Sequence, residues 1–312
     1  MARGSKNLSD GIAVGIPIIR HALREHADSS ADTITPKEMR RVVRSWWKLQ
    51  LFTKQYAILL KKGGSETGSP YIRDVQELMR IVMDSHERLM RNFCSRFATG
   101  QWALDHVPGM GPFFTAFLLA YTWDGMGRHF RRPEHLCQYM GVFLPKPARR
   151  PRNQTIRTMN YLIRHSLFRV TIYQKKDPWY SFFNHRKEIE NRRNEEGAYR
   201  DLAQRLVDCG YLRNLPSASE SVRRLSSGRL TPYMLSHRVK KLGLRIFLEQ
   251  FYTLAMLEKG KIPVDPYPVR VLGFDPYFPV EGIDSFLDNL GKDKKGIRSR
   301  IIQGPFQLGS LD

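Results

Sequence analysis

The sequence predicts an all-α protein with a long-helix N-terminal part, a multi-helix middle and an irregular C-terminal tail. Three observations carry that reading. Apolar residues recur at spacings of three and four over long stretches. Nowhere does the strict alternation of a half-buried strand persist. Capping residues and glycines bracket the periodic runs. The 41% hydrophobic content over 312 residues suffices for a sizeable core.

The N-terminal stretch has a short apolar run that Pro17 breaks and Arg20 and His21 follow, which is not a signal-peptide layout. The first clear helix opens with Thr35 as N-cap, Pro36 at the first helical position and Glu38 closing a capping box. It runs to Gly63-Gly64 with Trp46, Leu49, Phe52, Tyr56 and Leu59 or Leu60 as its core stripe. Arg40, Arg41, Arg44 and Lys48 lie off that stripe, on a solvated face or, in the sharper reading, a nucleic-acid surface. Gly63 to Pro70 is a connector, and a second helix covers roughly Asp74 to Phe97.

A proline-broken basic loop spans Arg131 to Arg152, and a helix follows from about Gln154 to Tyr173. Asp177 and Pro178 open another. Residues Leu215 to Gly228 read as a linker, and Thr231-Pro232 starts the last long helix, which ends near Glu258. Leu235, Val239, Leu242, Ile246 and Leu257 form its core stripe, while His237, Lys240, Lys241 and Arg245 crowd its first half. From Ile262 on, prolines and glycines predict an extended or partly disordered tail. The chain thus divides into residues 1–65, 70–214, 215–260 and 261–312.

Between the second helix and the basic loop stands His106-Val107-Pro108-Gly109-Met110-Gly111-Pro112-Phe113-Phe114. A helix ending near Val107 and restarting at Pro112 must reverse in about four residues. Gly109 and Gly111 can adopt φ > 0 without a Cβ clash. Pro112 suits the first turn of the next helix, whose first amides lack internal partners. A phosphate can approach those amides and the positive end of the helix dipole. This is the recipe of a helix-hairpin-helix, a sequence-independent grip on nucleic acid, and the bare structural turn is its rival. The phosphate reading predicts that both glycines can become alanine with the fold retained and binding weakened.

The charge distribution supports the grip. The chain carries 51 Lys or Arg against 30 Asp or Glu, a net +21 that favours polyanionic partners. Arg128 to Arg193 holds sixteen basic and four acidic residues, and so +12 of that excess. Within it Arg157 and Arg164 share one helix face, and Tyr161 and Phe168 form a neighbouring stripe read as core. The nucleic-acid-binding candidates are Gly109, Gly111, Pro112, Arg128, Arg131, Arg132, Arg149, Arg150, Arg152, Arg157, Arg164, Lys240 and Lys241.

The run from His106 to Pro145, then Arg152 to Arg169, then Asp177 to Phe183, resembles the C-terminal domain of DEDD-type insertion-sequence transposases. Those are RNA-guided, serine-assisted recombinases with a ribonuclease-H-like catalytic domain at the N-terminus. Gly109, Gly111, Phe130, Leu136, Tyr139, Gly141, Asn153, Ile156 and Arg157 match the family pattern in order, over about Val107 to Gly197. The resemblance implies a helix-hairpin-helix DNA-binding domain. The family's catalytic serine falls between the Tyr-Gly element and the Asn-Arg helix, where this chain has a short basic gap without serine. Nor does the N-terminus offer the strand-borne carboxylates of the family's metal site.

Other chemistry is thinly represented. Asp105, Asp124 and Asp177 read as helix-end residues, and Glu188 and Glu190 as ion-pair partners on their helix. Glu258-Lys259-Gly260-Lys261 faintly resembles a nuclease E-x-K without a partnering aspartate. His129, His135 and Cys137 do not match zinc spacing. Cys94, Cys137 and Cys209 form no C-x-x-C, which weakly favours a reducing compartment. No cofactor, metal or membrane partner is expected. The reading is a non-catalytic, backbone-directed DNA-binding protein, cytoplasmic or nucleoid-associated, or nuclear in a eukaryote. Its alternatives are an active recombinase or nuclease with an unrecognised metal site, an RNA-binding component of a ribonucleoprotein, and a subunit that binds a catalytic protein partner.

Overall fold

The computed structural model describes residues 32–62, 70–142, 153–212 and 219–264, with scattered positions between 20 and 29 and residues 216, 282, 286 and 288. Among these the chain is all-α, and one isolated bridge joins Met126 to Phe130. No helix among the described residues is long and apolar enough to cross a membrane.

The helices are α1 (Pro36–Lys62), α2 (Pro70–Ser95), α3 (Ala98–His106), α4 (Pro112–Thr122), α5 (Pro133–Tyr139), α6 (Gln154–Gln174), α7 (Trp179–Glu195), α8 (Arg200–Asp208), α9 (Glu220–Ser226) and α10 (Pro232–Glu258). The capping box forms as expected: the Thr35 amide and hydroxyl donate to Glu38 Oε2 at 2.9 and 2.8 Å, and the Glu38 amide donates back. Arg96 donates to the Ile34 carbonyl, and the Thr53 hydroxyl approaches Met79 and Met83, so α1 and α2 run antiparallel.

Two buried helices organise the molecule. α4 is apolar nearly all round, and every residue except Phe114 is buried where it packs on α1, α2 and α3. α10 meets α3, α5, α6 and α7, and beyond Gly243 it is enclosed on almost every side, with Phe247, Phe251 and Tyr252 fully buried. Each such large side chain contributes roughly 1.5–3 kcal/mol by leaving water. At Gly243 a Cβ would lie 2.6 Å from the Phe183 ring, so a glycine lets α7 and α10 touch. A smaller core of Tyr199, Ala203, Leu225, Leu230 and Leu235 joins α8, α9 and the start of α10.

Several expectations need correction. One main core draws on Met39 and Val43, Trp102 and Phe117, Val239 and Phe251, and Phe286, so it takes residues from all four sequence segments. The expected linker contains α9, capped by Ser219, whose side chain accepts from the Val222 amide. Of the tail, expected to be irregular, the described residue Phe286 is buried in the main core. The α1 stripe buries Trp46 but leaves Phe52 exposed, and the Thr53 hydroxyl of that half of the helix approaches Met79 of α2. Arg40 is half-buried, while Arg41, Arg44 and Lys48 are exposed as the solvated-face reading expects, and Arg40 and Arg44 are tied to the protein. Arg40 Nε donates to the Ala120 carbonyl at 2.6 Å and Arg44 Nε to the Tyr121 hydroxyl at 2.8 Å, which caps the C-terminal end of α4.

Candidate nucleic-acid interface

The hairpin forms where expected, between α3 and α4, but its two glycines do different work. Gly109 has φ +78°, and a Cβ there would stand 2.6 Å from the Ser166 carbonyl oxygen of α6. The Ser166 hydroxyl donates to the Gly109 carbonyl at 2.9 Å. Gly109 is therefore required by protein packing and backbone conformation together. Gly111 is the N-cap of α4 with φ −78° and ψ 177°, extended backbone that any residue adopts. Nothing lies within 4 Å of a Cβ built there. Replacing both glycines with alanine is therefore expected to strain the hairpin through Gly109, whereas a Cβ at Gly111 meets no clash. Pro112 is buried at the first position of α4.

The remaining candidates divide among separate places. α6 explains the division, because successive residues turn by about 100°. Ile156, Met159, Ile163 and Leu167 face the core. Leu162, Ser166 and Val170 lie on the flank towards the hairpin, and Arg157, Tyr161, Arg164 and Phe168 lie on the other. Arg128, Arg131 and Arg132 follow the far end of α4, about 16 Å along its axis from the hairpin. They are exposed, and the Arg131 carbonyl accepts from the Tyr252 hydroxyl at 2.8 Å. Arg149, Arg150 and Arg152 lie outside the described residues. The expected grip of the hairpin together with the Arg128–Arg193 segment is thus spread over separate places by the fold.

What the fold assembles is a basic face where α6 meets α10. Arg164 and His165 come from α6, and His237, Lys240 and Lys241 from α10. His165 and His237 rings are 5.9 Å apart, Arg164 lies 5.7 Å over the Tyr161 ring, and Lys240 lies 4.4 Å over Phe168. Arg164 Nε and His165 Nε2 are buried without a hydrogen-bond partner. Among the described residues, no carboxylate pairs with Arg164, Lys240 or Lys241. Tyr161 and Tyr233 flank the cluster at 47% and 64% exposure. Tyr161 is therefore not part of the core, contrary to its apolar-stripe spacing. Instead its ring lies tilted against His165, with ring centroids 4.2 Å apart. Tyr233 and His165 escaped sequence reasoning because their proximity to the group His237, Lys240 and Lys241 depends on how two distant helices cross.

Mutual repulsion marks this face. Burial, then the charge of Arg164, holds Lys240 below the usual lysine range; Lys241 is lowered by burial, Arg164 and Arg238. Burial and then Lys240 and Arg164 depress His165, and burial, Arg164, Lys240 and His165 depress His237. Unfolded, both imidazoles take up protons near pH 6.5, before the folded protein does, so acidification through that range costs stability. A bound phosphate reverses the preference, because it favours the imidazolium form. Thermal unfolding with and without a short duplex, at about pH 7.5 and about pH 6, is expected to show the free protein weakening on acidification. The gap between free and bound melting temperatures should widen. A gap that narrows contradicts this electrostatic picture.

The other candidates are engaged structurally. Glu190 is 2% exposed and takes hydrogen bonds from Tyr199, Arg186 and Arg238, so its ion-pair reading holds and extends to α10; Glu188 is exposed. Glu258 accepts the Ala98 and Thr99 amides at 2.9 and 2.8 Å, which caps α3 from the far end of the chain. Lys259 donates to the Trp123 carbonyl and lies over its ring, so the E-x-K residues serve packing. Asp177 accepts the Ser181 amide although Pro178 holds the N-cap position of α7. Asp105 accepts from Gln101, and Asp124 faces Arg40 at 3.9 Å. Cys94 and Cys137 are buried, which pushes both thiols up. No group of three His, Cys, Asp or Glu residues placed to hold a metal occurs among the described residues.

The residues that carry the transposase resemblance are mostly architectural here. Phe130, Leu136 and Ile156 are buried, Gly141 has φ +73°, and the Asn153 side chain caps α6 by accepting the Thr155 and Ile156 amides. Arg157 is exposed on the flank that carries Arg164. In comparisons with known proteins, no family model, curated protein or solved structure matches the chain.

Proposed function

We propose that this chain binds nucleic acid, DNA in the first instance, by gripping phosphate backbone along the α6–α10 face. The supporting observation is the unpaired cluster of Arg164, Lys240 and Lys241 between two exposed tyrosines. Concentrating like charge in a partly desolvated place destabilises a protein unless a polyanion neutralises it. The flanking rings suit contact with sugars or base faces and do not read base edges, so binding is largely independent of sequence. In this reading the chain is a DNA-binding domain akin to the C-terminal domain of DEDD-type transposases, and any strand chemistry comes from a partner.

The test compares duplex binding by wild type, Lys240→Ala/Lys241→Ala and Lys37→Ala/Arg41→Ala. The last pair removes equal charge from exposed positions on α1. The α10 variant is expected to bind roughly 10- to 100-fold more weakly near 0.1 M salt, the loss that two phosphate contacts imply. The α1 variant should change affinity far less. Equal losses in both variants overturn a localised face in favour of diffuse charge.

A further inference from the structure

Beside the hairpin lies a cleft of about 720 Å³ that the basic face does not use. Trp46 and Trp47 of α1 form one wall, with ring centroids 4.4 and 5.9 Å from Phe113. Half-buried Phe114 adds an edge, and Leu162, Ser166 and Val170 of α6 close the opposite side. Trp46 is nine-tenths buried in this lining, and its indole Nε1 has no hydrogen-bond partner. At the mouth Gly111 leaves open space over the start of α4, whose first amides lack intrahelical acceptors. Lys54 and Lys176 line the cleft, as do Glu87 and Asp105.

We infer that this cleft holds a single unpaired nucleotide, its base against Trp47 and Phe114 and its phosphate over the amides that follow Gly111. The inference rests on the nucleic-acid reading above but concerns a different site. The volume falls within the range of small-molecule sites, far below what a duplex needs. The aromatic wall supplies the stacking surface that single bases use. The helix terminus and two lysines match one phosphate, whereas Glu87 and Asp105 cancel any longer field and face the amino groups that bases carry. The absence of a Cβ at Gly111 has no conformational purpose, since its backbone suits any residue. An approaching ligand gives that absence a reason.

The experiment measures binding of three otherwise identical duplexes: blunt, with one overhanging nucleotide at either end, and with an abasic overhang. The base-bearing overhang is expected to bind roughly tenfold tighter than the abasic one, the scale of one base stacking on an aromatic ring. Trp47→Ala should erase that ratio and leave blunt-duplex affinity unchanged. Gly111→Ala is the second variant, because its Cβ enters the mouth where no other protein atom lies within 4 Å of it. Equal binding of base-bearing and abasic overhangs by the wild type, at both ends, overturns the inference. So does a ratio that survives both variants. Lys240→Ala/Lys241→Ala separates the two readings. It should lower all three affinities together and keep the ratio; a kept ratio with no loss sinks the α6–α10 face and leaves the cleft standing.

Discussion

Glu190→Gln is expected to lower stability by about 3 kcal/mol, because it removes the one carboxylate that two arginines share in a buried place. Glu190 holds α7 to α10 through Arg238 at 2.9 Å and to the turn before α8 through the Tyr199 hydroxyl, and takes Arg186 from its own helix. Glutamine has nearly the same volume, so the loss is electrostatic and not a cavity. The arginines are part-exposed and regain some hydration, which places the effect at the low end for a broken buried pair. The melting temperature should fall by roughly 6–12 °C.

The pH dependence follows from opposing causes. Burial alone would raise the Glu190 carboxyl, but the hydrogen bonds from Tyr199 and Arg238 and the charges of Arg238 and Arg186 outweigh it. The folded carboxyl is thereby held below the usual 4.5. Its contribution is complete above that value and disappears as pH falls through the lowered one. The difference between wild type and Glu190→Gln should thus be full at neutral pH and shrink in acid. A difference that stays constant down to about pH 3 contradicts the ion-pair account.

Gly109→Ala is expected to cost about 3 kcal/mol or more, and Gly111→Ala at most about 0.5 kcal/mol in either direction. At Gly109 an L side chain must adopt φ +78°, which by itself costs roughly 1–2 kcal/mol. Its Cβ must also displace the α6 backbone at Ser166, which stands 2.6–2.7 Å away and cannot swing aside as a side-chain tip would. At Gly111 neither penalty applies, and alanine even restricts the unfolded chain. Chemical denaturation of the two single variants checks this directly. Equal costs would mean that the hairpin does not pack on α6 as described.

The sequence shows the framework more clearly than the site. The Thr35 box, the Thr231-Pro232 start and the reversal from Val107 to Pro112 are local signals, and all three appear where expected. α5, α8 and α9 have seven to nine residues, too few to show a period, and of the nine-residue α3 only the end near Val107 is legible. The ties of Arg40 and Arg44 are not legible in sequence because their acceptors, the end of α4 and Tyr121, lie nearly eighty residues away. Likewise Glu258 caps a helix 160 residues distant. Among the proposed contacts, Arg157 and Arg164 were legible as one face of a helix. The meeting of Arg164 with Lys240, Lys241 and two histidines is a product of helix packing that no spacing records. Conversely, Gly109 and Gly111 look equivalent in sequence, and the positive φ of Gly109 and the approach of Ser166 distinguish them.

The most direct measurement of the central claim is the slope of log affinity against log salt for a short duplex. Each phosphate neutralised contributes about −0.9 to that slope. Lys240→Ala/Lys241→Ala is predicted to flatten it by about 1.8 relative to wild type, and Lys37→Ala/Arg41→Ala to leave it nearly unchanged. An α10 variant that binds with the wild-type slope would show that Lys240 and Lys241 meet no phosphate, and the α6–α10 face would not be the nucleic-acid interface.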